Sequence, residues 1–179
     1  ESASLIVSVN YFGAQETLAA ARPLLARGDA PAAVAVSSNS SSLPNAFAPL
    51  VGVCLGGDEA VARAEALTMP TPSVYGAAKR ALALWVRREA PGPGWARAGI
   101  RLNAVVPGAV QTPLLQGGLD HPQLGHAIRN FPIPLGGFGT APQIAAAIAF
   151  LLSPDASFCC GSLLFVDGGT DALIRPTEF

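Results

Sequence analysis

At 179 residues the chain is the size of one domain and long enough to bury a core. Half of it is hydrophobic, only 13% is charged and the formal net charge is -1, which argues against a nucleic-acid or anionic-membrane partner. Three cysteines without a CxxC, two histidines without companions at ligand spacing, and a start without a basic segment argue against a disulfide framework, a metal centre and a signal peptide.

In chain order, VNYFGAQETLAAARPLLAR (9–27) reads as an Ala/Leu-rich helix stopped by Gly28 and Pro31. AAVAVSS (32–38) is a short apolar strand running into a serine tract. SNSSSLPNAFAPLVGVCLGG is too broken by Pro and Gly to be a single element. A short helix is expected at 58–67 and a longer one from about Ser73 to Glu89, followed by a Pro/Gly loop at 90–98. GIRLNAVVP (99–107) is a second strand ended by Pro107-Gly108, and a Gly/Pro-rich, lid-like stretch runs from Ala109 to Gly139. Thr140 caps a helix to Leu152, and GSLLFVDGG (161–169) is a final strand with a turn. Helices alternating with apolar strands at crossover spacing predict a parallel α/β sheet. The apolar helix segment Ile144 to Leu152 is too short to span a bilayer, so a soluble, cytoplasmic domain is expected.

The strongest chemical signal is YGAAK, with Tyr75 and Lys79 four residues apart on one helix face. A free phenol titrates near 10, and a cation beside it lowers that value toward use as a general acid or base. Lys79 is the only lysine in the chain, and only two tyrosines are present. A chain that uses arginine everywhere else keeps lysine here, which suggests a task for a compact ammonium. The second signal is RLNAVVPGAVQTPLL (101–115). Pro-Gly at a strand end lets the backbone turn close to a ligand at the carboxyl edge of a parallel sheet. Val110 and Thr112 then offer backbone and hydroxyl groups. Among the serines, the strand end selects Ser37 or Ser38, with Ser40 and Ser41 open as alternatives, and Asn10 alone reads as a helix-start residue. GGFGT (136–140) is better read as the cap of the following helix than as a phosphate loop, since Pro142 follows and no strand precedes it. Cys159 and Cys160 are expected to pack beside the last strand, and His121 and His126 to be solvated.

Taken together, strand-SS, YxxxK, R-x-N-x-x-x-P-G-x-x-x-T and V-D-G-G in this order resemble the short-chain dehydrogenase/reductase family, from Asn10 to Gly169. The resemblance implies a Rossmann-like doubly wound parallel sheet, of which 1–179 would be the catalytic C-terminal part. It also implies an NAD(P)-dependent oxidoreductase interconverting a ketone and a secondary alcohol. By resemblance, Tyr75 is the catalytic acid/base, and Lys79 lowers its pKa and binds the cofactor ribose. Ser38 hydrogen-bonds the substrate oxygen, and Asn10 holds a water in the proton relay. Pro107, Gly108, Val110 and Thr112 line the nicotinamide end.

Two features depart from the family pattern. Residues 1–179 contain no TGxxxGxG, no NNAG and no charged residue ending a second strand. In a complete member these would precede Glu1, and without the Gly-rich loop residues 1–179 alone are expected to be inactive. Gly137 also stands where relatives commonly have Arg. The gap from Ser38 to Tyr75 is much longer than usual, with residues 43–71 inserted. That gap, VSVNYFGA and the ending DALIRPTEF resemble one bacterial subgroup, the 3α-hydroxysteroid dehydrogenase/carbonyl reductases, which slightly favours NAD over NADP. The alternatives are a 3-oxoacyl-carrier-protein reductase and a non-catalytic truncated remnant. The insertion is expected to cover the helices carrying Asn10 and Tyr75, leaving the last strand and the 140–152 helix to form a homodimer.

Overall fold

The computed structural model describes residues 2–43, 48–122 and 124–178. Among them, β1 (Ala32–Val36), β2 (Arg101–Pro107) and β3 (Leu163–Val166) form one parallel sheet in the order β1-β2-β3. The register sets Val36 opposite Val105 and Pro107 opposite Val166, so the three strands end on the same side of the sheet, β1 two residues before the others. Side chains of β2 alternate between two layers, as the strand period of two requires. Leu102 and Ala104 join the larger apolar cluster on one face, and Val105 joins the smaller cluster with Leu151 on the other. This is the α/β, Rossmann-like architecture expected from the sequence.

The N-terminal helical segment extends ahead of 9–27 into the first residues, which already read as the entry to a helix. It runs as α1 (Ala3–Val7), a π-helical turn (Ser8–Gly13) and α2 (Ala14–Leu25). Ser2 caps it by accepting the Leu5 amide. Burial of Ile6 and Val7 against the core outweighs the modest helix propensity of β-branched residues.

The serine tract closes into a 3-10 turn at Asn39–Ser42. The segment read as too broken for one element contains a helix, α3 (Ala48–Gly56), despite Gly52. Leu50 and Cys54 are fully buried on it, and that packing overrides the glycine cost. The preceding residues 44–47 of LPNAFAPLVGV lie outside the described residues. Next come α4 (Glu59–Ala66), capped by Asp58, and α5 (Thr71–Glu89), both close to the expected bounds. The inserted segment is docked: α3 packs on α5, α4 packs on α1, and Ala62 and Ala66 are buried.

The stretch 109–139 holds two short helices that the Gly/Pro content concealed, α6 (Pro113–Asp120) and α7 (Gly125–Arg129). α8 (Ala141–Leu152) starts at the expected Thr140 cap, which the structure completes as a capping box with Gln143. A last helix, α9 (Thr170–Ile174), follows the Gly168-Gly169 turn and was not anticipated. Gly136 and Gly137 have φ of +78° and +70°, so an arginine at 137 would be strained there. No helix among the described residues is long and apolar enough to cross a membrane.

Tyr11 and Cys54 carry a testable pH dependence. Burial pushes the Cys54 thiol from 9.0 up to about 11. Burial, with a smaller contribution from Cys54, pushes the Tyr11 phenol from 10.0 up to about 12. Both folded values lie above the ordinary ones, so the folded state holds these protons more tightly than the unfolded chain. The associated stability is complete below pH 9, and is lost as pH rises through about 11 and then about 12. Thermal melts should therefore shift downward between about pH 9 and pH 11, and Cys54→Ala should flatten that slope. A melting temperature constant across this range would contradict the assignment.

Candidate active site

The carboxyl ends of the three strands place Ser38, Pro107-Gly108 and Asp167 side by side. The Ser37 amide continues the ladder by donating to the Val105 carbonyl at 2.9 Å, and neighbouring strands lie about 4.8 Å apart. Successive serines then turn to opposite sides. The Ser37 hydroxyl is buried and donates to the Lys79 carbonyl at 2.9 Å, so it ties β1 to α5. Ser38 is half-buried, and its Oγ accepts the Ser40 amide at 3.2 Å. Ser42 donates back to the Asn39 carbonyl. Ser38, unlike Ser37, is thus left facing Tyr75.

Tyr75 and Lys79 project from the first half of α5, with Lys79 Nζ 5.7 Å from the Tyr75 ring centroid. Burial pushes the Tyr75 phenol up from its ordinary value, and a side-chain hydrogen bond with Ser38 pulls it back. Burial pushes the Lys79 ammonium down. The Lys79 ammonium donates to the Val36 carbonyl at 2.9 Å, at the end of β1. The expected lowering of the phenol by Lys79 is therefore not the dominant effect here, since desolvation outweighs a cation that is turned toward the backbone.

Asn10 lies inside the π turn, which packs on α5, and its Nδ2 donates to the Ile6 carbonyl at 3.0 Å. π turns recur where a helix must re-aim a functional side chain. Pro107 ends β2, and the Gly108 amide donates to Val166 O at 3.1 Å. A Cβ on Gly108 would sit 2.8 Å from Asp167 Cα, so the close approach of the two strand ends, and not a positive φ, demands glycine.

Val110 departs from the strand ends and bridges to Gly139, with Gln111 N–H on Gly139 O at 2.8 Å and Gly139 N–H on Ala109 O at 2.9 Å. Thr112 caps α6 by accepting the Leu115 amide, and its Oγ lies 3.2 Å from the Val110 carbonyl. GGFGT accordingly serves as a cap and bridge ahead of α8. His121 and His126 are exposed on the α6–α7 segment, and Cys159 and Cys160 are free thiols beside the approach to β3.

Asp167 was not singled out in the sequence beyond its place in V-D-G-G. Its carboxylate accepts the Gly169 and Asp171 amides at 3.0 and 2.7 Å, and so shapes the turn pressed against Gly108. Thr170 and Gly168 then tie this turn to Pro132 and Leu135. The R-x-N residues hold the framework behind the site. Arg101 donates to the carbonyls of Leu151, Leu152 and Ser153 at the end of α8 and of Ala156 in the 3-10 turn after it, and Asn103 bridges Cys159 O and Ser162 N ahead of β3.

A parallel α/β sheet with a serine, a tyrosine and a lysine gathered at its carboxyl edge defines a class of nicotinamide-dependent oxidoreductases. Comparison with known proteins agrees. A family profile described as enoyl-(acyl carrier protein) reductase matches residues 59–171. The 3-alpha-hydroxysteroid dehydrogenase/carbonyl reductase of Comamonas testosteroni is 44% identical over 178 residues, covering 97% of this chain and 68% of that protein. The chain belongs to the short-chain dehydrogenase/reductase family of NAD(P)-dependent oxidoreductases.

Among solved structures, the 3-alpha-hydroxysteroid dehydrogenase of Pseudomonas sp. B-0831 complexed with NADH superposes with a TM-score of 0.96 at 45% identity. That match covers 100% of this chain and 70% of the other. An NADPH-bound short-chain oxidoreductase of Pseudomonas aeruginosa PAO1 gives a TM-score of 0.69 at 25% identity, with 93% and 56% covered.

Proposed function

We propose that residues 1–179 carry the reaction chemistry of an NAD(P)-dependent enzyme that interconverts a ketone and a secondary alcohol, with a hydroxysteroid or other bulky carbonyl as substrate. The observation that carries this reading is the meeting of Ser38, Tyr75 and Lys79 beside the Pro107-Gly108 strand end. The donor set suits a nicotinamide nucleotide: an ammonium at Lys79 and a hydroxyl at Thr112, beside the Pro107-Gly108 strand end. When bound, that group supplies or accepts the hydride. Lys79 would hold its ribose, and Pro107, Gly108, Val110 and Thr112 its nicotinamide end.

Ser38 hydrogen-bonds the substrate oxygen and Tyr75 gives or takes its proton. Asn10 holds a water on the route by which that proton reaches solvent. NAD is favoured over NADP because the structure with a TM-score of 0.96 holds NADH, and the cytoplasm is the proposed location.

The test is a screen of the full-length protein for NADH and NADPH oxidation against steroid ketones, quinones and acyl-thioester ketones. Turnover of steroid or carbonyl substrates supports the reading. Turnover confined to acyl thioesters would move the assignment to a 3-oxoacyl-carrier-protein reductase, and absence of any turnover to a non-catalytic remnant.

The proposed assembly is a homodimer through β3 and α8, because α3 and α4 cover the faces of α5 and α1. Phe150 and Leu152 on α8 are 44% exposed, and Phe158 is 103% exposed. Aromatic residues are enriched at interfaces relative to the rest of a protein surface. Light scattering of the full-length protein should give the mass of two subunits, and Phe158→Asp with Leu152→Lys should give one. A tetramer that survives both changes would refute this arrangement.

A further inference from the structure

We propose that Glu59, in the inserted segment, is a positioning residue for the reaction: it holds the π turn that presents Asn10 by gripping Ser8. The inference rests on the reading of Asn10 as the relay residue, and goes beyond it by giving the insertion a part in the chemistry. Ser8 is the first residue of the π turn, and its Oγ lies 2.5 Å from Glu59 Oε1 and 3.0 Å from the Ser4 carbonyl. A hydroxyl has one proton, and a contact this short to a carboxylate is the charge-assisted kind, so the proton goes to Glu59.

Glu59 is itself anchored as the first residue of α4, whose Asp58 cap accepts the Val61 amide at 3.1 Å. Ala62 and Ala66 are fully buried where α4 meets α1. The competing Glu59–Arg63 pair is long, at 3.9 Å, and exposed, so it does little to draw the carboxylate away.

A π turn contains one residue more than an α turn, and closing it would rotate the helix on either side by about 100° relative to the other. Ile6 and Val7 are buried on one side, and Tyr11 and Phe12 on the other. The residue that would swing is therefore Asn10, whose amide now takes the Ile6 carbonyl, the acceptor that an α turn would give to its own backbone N–H. A carboxylate reaching in from the insertion onto the turn's first side chain keeps the wide form. It thereby fixes where Asn10 points.

The experiment uses the full-length enzyme with Ser8→Ala, Ser8→Thr, Glu59→Gln, Asn10→Ala and the Glu59→Gln/Asn10→Ala pair. Ser8→Ala and Glu59→Gln should each lower kcat by about tenfold with KM held within about twofold, the signature of a misplaced group. Ser8→Thr, which keeps the hydroxyl, should retain activity. In the Asn10→Ala background Glu59→Gln should cost nothing further, because both act through one group.

Should Ser8→Ala fail to fold, the isosteric Glu59→Gln at the helix surface carries the test alone. Full kcat in Glu59→Gln beside a crippled Asn10→Ala would overturn this inference while leaving the role of Asn10 intact. Additive losses in the pair would also overturn it, reducing Glu59 to a stabilising contact. A silent Asn10→Ala would remove the relay reading itself, and the inference with it.

Discussion

Replacing Tyr75 with Phe in the full-length enzyme is expected to lower turnover by about 100- to 10,000-fold while cofactor binding survives. The change deletes one oxygen. The ring stays packed against the buried cluster around α1, α3 and α5, and the Lys79 ammonium keeps its place 5.7 Å from the ring centroid. What is lost is the phenol facing Ser38, and with it the proton proposed to reach or leave the substrate oxygen.

Burial raises the Tyr75 phenol, so its protonated form persists to higher pH than that of a free tyrosine. Carbonyl reduction, which needs the proton, should hold at neutral pH and decline only in the alkaline range. Alcohol oxidation, which needs the phenolate, should rise with pH through that same range. Steady-state rates in both directions, with a fluorescence titration of cofactor, check these expectations. Near-normal turnover in Tyr75→Phe would mean that another group is the acid.

The elements that could be read in advance are those where chemistry or local geometry restricts the residue type. A lone lysine four residues after a tyrosine marks a shared helix face, a Pro-Gly after an apolar run marks a strand-end turn, and Thr140 ahead of an apolar helical run marks a helix cap. Ser37 and Ser38 could not be separated by residue type, because both are hydroxyls at a strand end. The pleat distinguishes them by sending one to the Lys79 carbonyl and leaving the other toward Tyr75.

The helix at Ala48–Gly56 was hidden by glycines whose cost is offset by burying Leu50 and Cys54, a tertiary effect that no local pattern records. The entry to a helix was legible in the first residues, and burial of Ile6 and Val7 against the core holds α1 there. The Ser8–Glu59 contact joins residues 51 positions apart and had no sequence signal at all. Asp167 was visible only as part of V-D-G-G, and its hold on the turn against Gly108 emerges from the paired ends of β2 and β3.

Lys79→Arg in the full-length enzyme should reduce kcat/KM by about 100-fold or more, although the charge is unchanged. The backbone of Lys79 accepts the Ser37 hydroxyl and its ammonium donates to Val36 O, both at 2.9 Å, so one residue bridges the end of β1 to α5 at two points. An ammonium reaches that carbonyl as a compact point donor on a flexible stem. A guanidinium is planar and wider, with donors forked in one plane, and it cannot occupy the same space between the β1 edge and the Tyr75 ring.

Burial pushes the Lys79 ammonium down from its ordinary value. Displacing it removes the cation proposed to hold the ribose and the charge beside Tyr75 together, so kcat should fall and cofactor Kd should rise in the same variant. Tyr75→Phe should move kcat alone, and this contrast separates the two roles. The measurement is kcat, KM and cofactor Kd for both variants, with circular dichroism as the check on folding. A folded Lys79→Arg enzyme with normal kcat and unchanged Kd would show that any cation at position 79 suffices.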